Sequence, residues 1–283
     1  MTTLTEFNGM DKEAAADMLF SCCGSKKWVS ALMAGFPFAS EEALLQKATD
    51  LWYNSCDEAD WLESFTHHPR IGDKKSLEQK FAGKEQEGIV AAAAATIDAL
   101  AKANADYESK FGFIFIVCAT GRSADEMLRL VNDRLVNTKE EELLIAMGEQ
   151  QKITVIRLKK LLTGADWDFL KISQLTTHVL DTTLGKPGEG ITIKLLRNTG
   201  NGRQVMAQGV TNADGRIADL LPPGRVLPAG DYKMVFATGN YFSSQNIKGF
   251  YPVVGIRFVI ADDAHYHIPL LISPFGYSTY RGS

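Results

Sequence analysis

The pattern of the sequence changes near residue 165, and one domain cannot accommodate both patterns. Residues 1–165 contain two prolines, whereas the shorter remainder contains seven. Proline is excluded from helix interiors and is common in turns, so the first part can form long helices and the second cannot. A chain of 283 residues is long enough for two domains of ordinary size. We therefore expect two domains of different structural class.

Helical periodicity dominates the first part. Ser40 precedes two glutamates and predicts the start of a helix with a buried stripe. Ser123-x-x-Glu126 and Thr138-x-x-Glu141 are capping boxes ahead of apolar periodic runs. The second run extends for about six turns, and Gly164 is its expected C-cap. These signals predict an all-α domain, a helical bundle, over residues 1–164. The predicted stripe consists of Leu44, Leu45, Ala48, Leu51 and Trp52.

Strand and turn patterns begin at Leu175. Val254, Ile256, Phe258 and Ile260 occupy alternate positions, and residues 191–196 and 232–238 are rich in β-forming residues. Asn212-Ala213-Asp214-Gly215 is a hairpin-turn signal. Several short strands at this spacing predict an all-β sandwich over residues 175–283, joined to the first domain by a linker at 165–174.

Charge and cysteine content restrict the class of protein. The net charge of −4 provides no basic surface for nucleic acid. No apolar run approaches 18 residues and no signal-peptide pattern is present, so we expect a cytoplasmic protein without a membrane partner. The four cysteines form no CxxC pair, which predicts reduced thiols and no zinc cluster. They are Cys22, Cys23, Cys56 and Cys118.

A histidine–proline pair lies within the helical part. Residues 65–72 read FTHHPRIG, and Pro69 keeps His68 out of helical geometry, so the imidazole can be held at a fixed angle. Glu85-Gln86, then FGFIF at 111–115, then ITVIRL at 153–158 follow in order. Together these segments resemble the decarboxylases of 2-oxo-4-hydroxy-4-carboxy-5-ureidoimidazoline (OHCU), from about Thr5 to Leu162.

This resemblance implies particular roles for residues of the first part. His68 matches the catalytic histidine of the family, Glu85 its catalytic carboxylate and Arg157 its substrate-binding arginine. Glu87 is an alternative to Glu85, because the two side chains point about 200° apart on a helix and only one can face a pocket. The substrate has a ring imine as its electron sink, so no cofactor is expected. The remaining implied substrate-binding residues are Pro69, Phe113 and Val117.

The last twenty residues form the second motif, AHYHIPLLISPFGYSTYRGS. His265 and His267 stand two apart, which puts both imidazoles on one face of a strand. The motif resembles the C-terminal signature of 5-hydroxyisourate hydrolases, enzymes of urate breakdown related to transthyretin. The final YRGS separates these enzymes from the thyroid-hormone carrier of the same fold, and the similarity extends back to about Leu175.

Four residues match the catalytic set of that family: His178, Arg216, His267 and Ser283. The two histidines would act as base and water-orienting acid, Arg216 would stabilise the developing anion, and Tyr280 would complete the wall of the site. His265 is a weaker candidate. Three histidines could instead bind zinc, but the arginine and the terminal serine would have no role in such a site. The resemblance implies a homotetramer with its sites in a channel between subunits.

The two resemblances together favour a bifunctional enzyme that acts on 5-hydroxyisourate and then on OHCU, because the product of one domain is the substrate of the other. A urate oxidase is its expected functional partner, and the helical domain is expected to dimerise. Two alternatives are a transthyretin-like binding protein and a protein in which one domain alone is active. A carrier would need none of the four hydrolase residues, which argues against the first alternative.

Overall fold

The computed structural model describes residues 2–68, 87–119, 122–162, 167, 173–200, 202–217 and 219–282, with side chains described from residue 95 onward in the second of these ranges. The chain divides into two compact units, Met1–Asp166 and Trp167–Ser283. The first unit is helical and the second is built mainly of strands, as the change of pattern predicts. Within these ranges no helix is both long and apolar enough to span a membrane.

The described part of the first unit contains eight α-helices. The side chains of Ser40, Ser123 and Thr138 cap their helices as predicted, and the last two form complete capping boxes. The predicted stripe of the fourth helix is buried. The helices are α1 Leu4–Asn8, α2 Lys12–Cys23, α3 Lys26–Met33, α4 Glu41–Asn54, α5 Glu58–Thr66, α6 Glu87–Phe111, α7 Ala124–Leu135 and α8 Lys139–Leu161.

Helix α8 is buried along much of its length even though many of its residues are polar. Its Glu142 is fully buried and forms an ion pair with Arg134. Asn137 Nδ2 donates to Glu142 Oε2 at 2.7 Å, and the Tyr107 hydroxyl donates to Oε1. The C-cap is the extended Leu162, so the expectation of Gly164 as C-cap is wrong. The chain leaves the helix before reaching that glycine, which lies outside the described residues.

The described part of the second unit contains two four-stranded sheets, with strand orders β2-β1-β7-β8 and β4-β3-β5-β6. Strands β1 and β7 are parallel, and the other described pairs are antiparallel. One short helix follows β5. The elements are β1 Leu175–Asp181, β2 Lys186–Pro187, β3 Thr192–Thr199, β4 Gly202–Val210, β5 Gly230–Phe236, α9 Thr238–Ser244, β6 Val254–Ile260, β7 Tyr266–Ser273 and β8 Gly276–Thr279.

Alternation along the strands gives each sheet one buried face. In β1, residues at every second position from Leu175 are buried, and the intervening Thr176 and His178 are half-buried. Apolar side chains of both sheets contribute to one core cluster, which includes Val179, Tyr232 and Leu270. The polar face of β1 is therefore left available for a site.

The turn before Arg216 depends on a glycine. Gly215 donates its N–H to Asn212 O at 2.8 Å and has a φ of 69°, in the left-handed region. Its carbonyl accepts from the N–H of Val179 at 2.8 Å. A Cβ at this position would overlap the Val179 carbonyl oxygen. The turn can therefore lie against β1 only if residue 215 has no side chain.

Replacement of Gly215 by alanine is expected to lower the free energy of unfolding by about 3 kcal/mol, because backbone strain and overlap add. Gly185→Ala is the matched control. Gly185 also has a positive φ, 62°, but has open space around its Cα, so a loss of about 1 kcal/mol is expected. Denaturant unfolding followed by circular dichroism measures both values. Equal losses in the two variants would contradict a close approach at Gly215.

Candidate active sites

His68 lies two residues beyond the end of α5. His67 is the C-cap of that helix, and the N–H of His68 donates to Phe65 O at 3.2 Å. The His68 side chain is half-buried. Phe65, one turn earlier, is buried and packs on Phe113, with ring centroids 5.4 Å apart. The end of α5 thus carries both the His68 imidazole and, one turn earlier, a buried aromatic contact with Phe113.

Gln150 of α8 holds one nitrogen of the His68 ring. Its Oε1 lies 2.5 Å from His68 Nε2. The Gln150 amide nitrogen donates to Cys23 O at 3.2 Å and to Thr154 Oγ1 at 3.3 Å. A backbone carbonyl can only accept, so the amide nitrogen must face Cys23 and the amide oxygen must face the imidazole. Because that oxygen also only accepts, His68 Nε2 carries a proton.

Arg157, also on α8, faces the other nitrogen of the ring. Its Nη2 lies 3.5 Å from His68 Nδ1, and its Nη1 donates to the carbonyls of Ser21 at 3.4 Å and Cys22 at 3.2 Å. These carbonyls belong to the last turn of α2, where cations are favoured. Burial, and then the charge of Arg157, lower the pKa of His68 below its usual value. An acceptor at Nε2 and a cation beside Nδ1 thus favour the neutral imidazole of His68 with its proton on Nε2.

The segment between α6 and α7 lies along the same part of α8. Phe113 and Val117 are buried in it. The N–H of the next residue, Cys118, donates to Glu149 Oε2 at 2.7 Å, and Glu149 directly precedes Gln150. The segment that the family resemblance predicts to line the substrate pocket is thereby attached to the helix that holds His68.

Three residues of the predicted sites, Pro69, Glu85 and Ser283, lie outside the described residues. The side chain of Glu87 does so too, although its backbone begins α6. The choice between Glu85 and Glu87 therefore stays a prediction.

In the second unit, strand pairing brings the hydrolase candidates together. His178 of β1 forms an isolated antiparallel β-bridge with Arg216, next to the Gly215 turn. On the other side of β1, the parallel register places Thr176 opposite His267 of β7. Burial, and then the charge of Arg216, lower the pKa of both His178 and His267. Three elements distant in sequence thus converge on one polar face.

The end of the chain lies against His267. The N–H of Gly282 donates to His267 O at 3.1 Å. A Cβ on Gly282 would overlap the imidazole, so only glycine allows the backbone to lie this close to the ring. Tyr280 is 60% exposed, whereas the Arg281 guanidinium lies 5.6 Å from the centroid of the Tyr266 ring.

Within the described ranges, no three His, Cys, Asp or Glu side chains are grouped so that they could hold a metal ion. This applies to His178, His265 and His267 together, the set that the zinc alternative would need. The four cysteines are buried and form no disulfide with one another.

Comparison with known proteins agrees with this division of the chain. Residues 8–159 match the OHCU decarboxylase family and residues 175–282 match the HIUase/transthyretin family. The "Uric acid degradation bifunctional protein TTL" of Arabidopsis thaliana is 31% identical over 97% of this chain and 100% of its own length. The chain belongs to this family of bifunctional urate-degradation proteins.

Two further relatives match one or both parts. The "5-hydroxyisourate hydrolase 2" of Rhizobium meliloti (strain 1021) is 49% identical over 40% of this chain and 98% of its own length. A crystal structure of (S)-allantoin synthase matches at 26% identity over 100% of both chains, with a TM-score of 0.46.

Sequence reasoning missed two residues that hold the histidines of this bifunctional family member. Gln150 is fully buried in α8, and Thr176 contacts His267 from β1. Thr176 has a weak signal, since it stands two residues from His178 and so shares its face of the strand. Gln150 has none, because a glutamine on a helix is usually solvated.

Replacement of Gln150 by glutamate is expected to raise the pKa of His68, because a carboxylate facing Nε2–H favours the imidazolium. NMR titration of histidine-labelled protein measures this, with the resonance assigned by a His68→Gln variant. His67→Gln is the control: it removes the neighbouring ring, a minor cause of the lowered pKa. An unchanged pKa in Gln150→Glu would contradict the contact between Gln150 and His68.

Proposed function

We propose that this protein catalyses two consecutive steps of urate breakdown. Residues 175–283, as a transthyretin-like sandwich, would hydrolyse 5-hydroxyisourate to OHCU, and residues 1–164, as a helical bundle, would decarboxylate OHCU to (S)-allantoin. The observation that carries this proposal is the full-length match to a bifunctional urate-degradation protein. The pairing, in each unit, of a half-buried histidine with an arginine that lowers its pKa supports it.

In the decarboxylation, the bond between the ring carbon and the carboxylate breaks. Its electron pair passes into the ring imine, carbon dioxide leaves, and one face of the carbanion takes up a proton, which His68 would relay to it. We propose that Glu85 disfavours the charged ground state of the carboxylate and that Pro69, Phe113 and Val117 line the ring pocket. The substrate provides the electron sink, so this step would need no cofactor.

His68 and Arg157 would position the substrate of this step. The 3.5 Å contact between Arg157 Nη2 and His68 Nδ1 is long for a hydrogen bond. A substrate oxygen that pairs with the planar guanidinium would therefore release Nδ1 to contact the substrate. Nε2–H would remain on Gln150, so the ring would keep its orientation.

In the hydrolysis, water adds to a ring amide carbonyl, the carbon–nitrogen bond breaks, and the nitrogen takes up a proton. The two histidines of the polar face, His178 and His267, would remove and deliver protons, while Arg216 would stabilise the oxyanion. Tyr280 and Ser283 would complete the site. The lowered pKa values of both histidines favour the neutral imidazole, the form that a base requires.

We further propose that the second unit forms a homotetramer. Strands β6 and β8 are edge strands of the two described sheets. They carry the exposed apolar residues Val259 and Tyr277, 66% and 46% exposed. Edge strands with apolar surface are sites of pairing between chains.

Three further expectations belong to this proposal. The helical unit would dimerise, the protein would act in the cytoplasm, and a urate oxidase would supply its substrate.

Urate freshly oxidised by a urate oxidase tests both activities at once. Rapid loss of 5-hydroxyisourate absorbance together with a growing circular dichroism signal of (S)-allantoin supports the proposal. Loss of absorbance without the chiral product would leave the hydrolase alone. No change in either signal would favour a transthyretin-like binding protein.

Replacement of His68 by alanine is expected to leave 5-hydroxyisourate hydrolysis unchanged and to lower the rate of (S)-allantoin formation by at least about a hundredfold. The control is His67→Ala, because His67 is exposed and caps α5. Allantoin formation at the wild-type rate in His68→Ala would refute the assignment of His68.

Extension of the chain beyond Ser283 is expected to slow the hydrolysis and spare the decarboxylation, because Gly282 already lies against His267. A short glycine–serine extension at either terminus, assayed separately with 5-hydroxyisourate and with OHCU, provides the comparison. Equal hydrolysis by both extended proteins would show that the C-terminus is not part of the site.

A further inference from the structure

We propose that Thr176 and His265 are positioning residues that set the tautomer of His267, so that its Nε2 is unprotonated and His267 is the general base. Thr176 Oγ1 lies 2.9 Å from His267 Nδ1 and 3.1 Å from His265 Nε2, and His265 Nδ1 lies 2.9 Å from Ser173 O. The proposal rests on the hydrolase function proposed above. It assigns the role of base to His267 rather than to His178, whereas the sequence does not distinguish the two.

The direction of each hydrogen bond in this network follows from the contact with the Ser173 carbonyl. A backbone carbonyl can only accept, so His265 Nδ1 must carry the proton of that contact. The orientation of the His265 ring is supported by partners at both nitrogens, since a flipped ring would direct carbon atoms at them. In neutral His265, Nε2 is then an acceptor, and it accepts a hydrogen bond from the Thr176 hydroxyl.

Because the Thr176 hydroxyl donates to His265, its oxygen can only accept a hydrogen bond from His267 Nδ1. The proton of His267 therefore sits on Nδ1, and the lone pair sits on Nε2. The Nε2 side of the ring includes the Cδ2 edge, which faces Gly282 near the end of the chain. The network thus leaves the basic nitrogen on the side of the C-terminal motif.

Three charged or titratable groups among the described residues face His267. They are Arg216 from the segment after the Gly215 turn, His178 from β1 and His265 from the residues before β7, and each lowers the pKa of His267 after the larger effect of burial.

The first test measures hydrolysis of 5-hydroxyisourate by Thr176→Val, which keeps the shape of a β-branched side chain and removes the hydroxyl. We expect kcat at neutral pH to fall about tenfold with KM little changed, because His267 is still present but is free to adopt the unreactive tautomer. Thr176→Ser restores the hydroxyl and should restore most of kcat. The decarboxylation of supplied OHCU should not change in either variant.

Thr182→Val is the matched control for this test. Thr182 lies just beyond β1, and its hydroxyl donates to Ile272 O at 2.9 Å, a carbonyl that also accepts from the Thr182 N–H. Its loss removes a threonine hydroxyl from the same sheet without touching a histidine, so hydrolysis should stay at the wild-type level. Wild-type kcat in Thr176→Val, a loss confined to KM, or a failure of Thr176→Ser to recover would overturn the proposal.

A second measurement reads the tautomer directly. The ¹⁵N chemical shifts of the imidazole nitrogens distinguish protonated from unprotonated nitrogen, and a His267→Gln variant assigns the resonance among the five histidines of the chain. We expect an unprotonated Nε2 in the wild type and a mixture of tautomers in Thr176→Val. His265→Ala should give the same mixture, because the Thr176 hydroxyl then has no acceptor that fixes the direction of its hydrogen bond.

The two measurements separate failure of this inference from failure of the proposed function. A protein with an unprotonated Nε2 that does not hydrolyse 5-hydroxyisourate would refute the hydrolase function and leave the tautomer assignment standing. Hydrolysis by a protein whose His267 carries its proton on Nε2 would overturn the tautomer assignment and leave the hydrolase function standing.

Discussion

The requirement that buried polar groups be hydrogen-bonded determines the arrangement of the helical unit. The last carbonyls of any helix lack partners within the helix. At the end of α2, the carbonyls of Ser21, Cys22 and Cys23 accept from Arg157 and Gln150 of α8. The same two side chains hold His68, so the contact that completes the end of a helix also orients the candidate catalytic ring. Stability and site geometry are therefore coupled at this point.

The second unit achieves the same precision through close backbone approach. Gly215 brings the turn that precedes Arg216 against β1, and Gly282 brings the C-terminal segment against the ring of His267. A side chain at either position would displace a group of the site by more than the tolerance of a hydrogen bond. The glycine of YRGS thus has a structural reason that its position in a motif does not reveal.

Local signals explain how much of this could be predicted. Helix caps, apolar stripes and strand alternation depend on residues a few positions apart, and they place most of the helices and strands, including the two predicted capping boxes. The parallel pairing of β1 with β7 has no local signal. Gln150 and Thr176 act on histidines 82 and 91 positions away, and Arg134 and Glu142 resemble surface helix residues although both are buried. Their partners become evident only once the chain is folded.

Both candidate sites pair a half-buried histidine with an arginine that lowers the pKa of that histidine. An anionic group of a substrate that binds to Arg157 or Arg216 would offset the positive charge next to the ring. The histidine would then become more basic when the substrate is in place, and it would stay neutral when the site is empty. Since a base is most effective when its pKa lies near the working pH, the arginine would both bind the substrate and adjust the histidine to it. This coupling requires only that the fold keep the ring and the guanidinium close together. In the first unit α8 does this, because it carries Arg157 next to His68. In the second unit the β1–β7 pairing and the Gly215 turn do it.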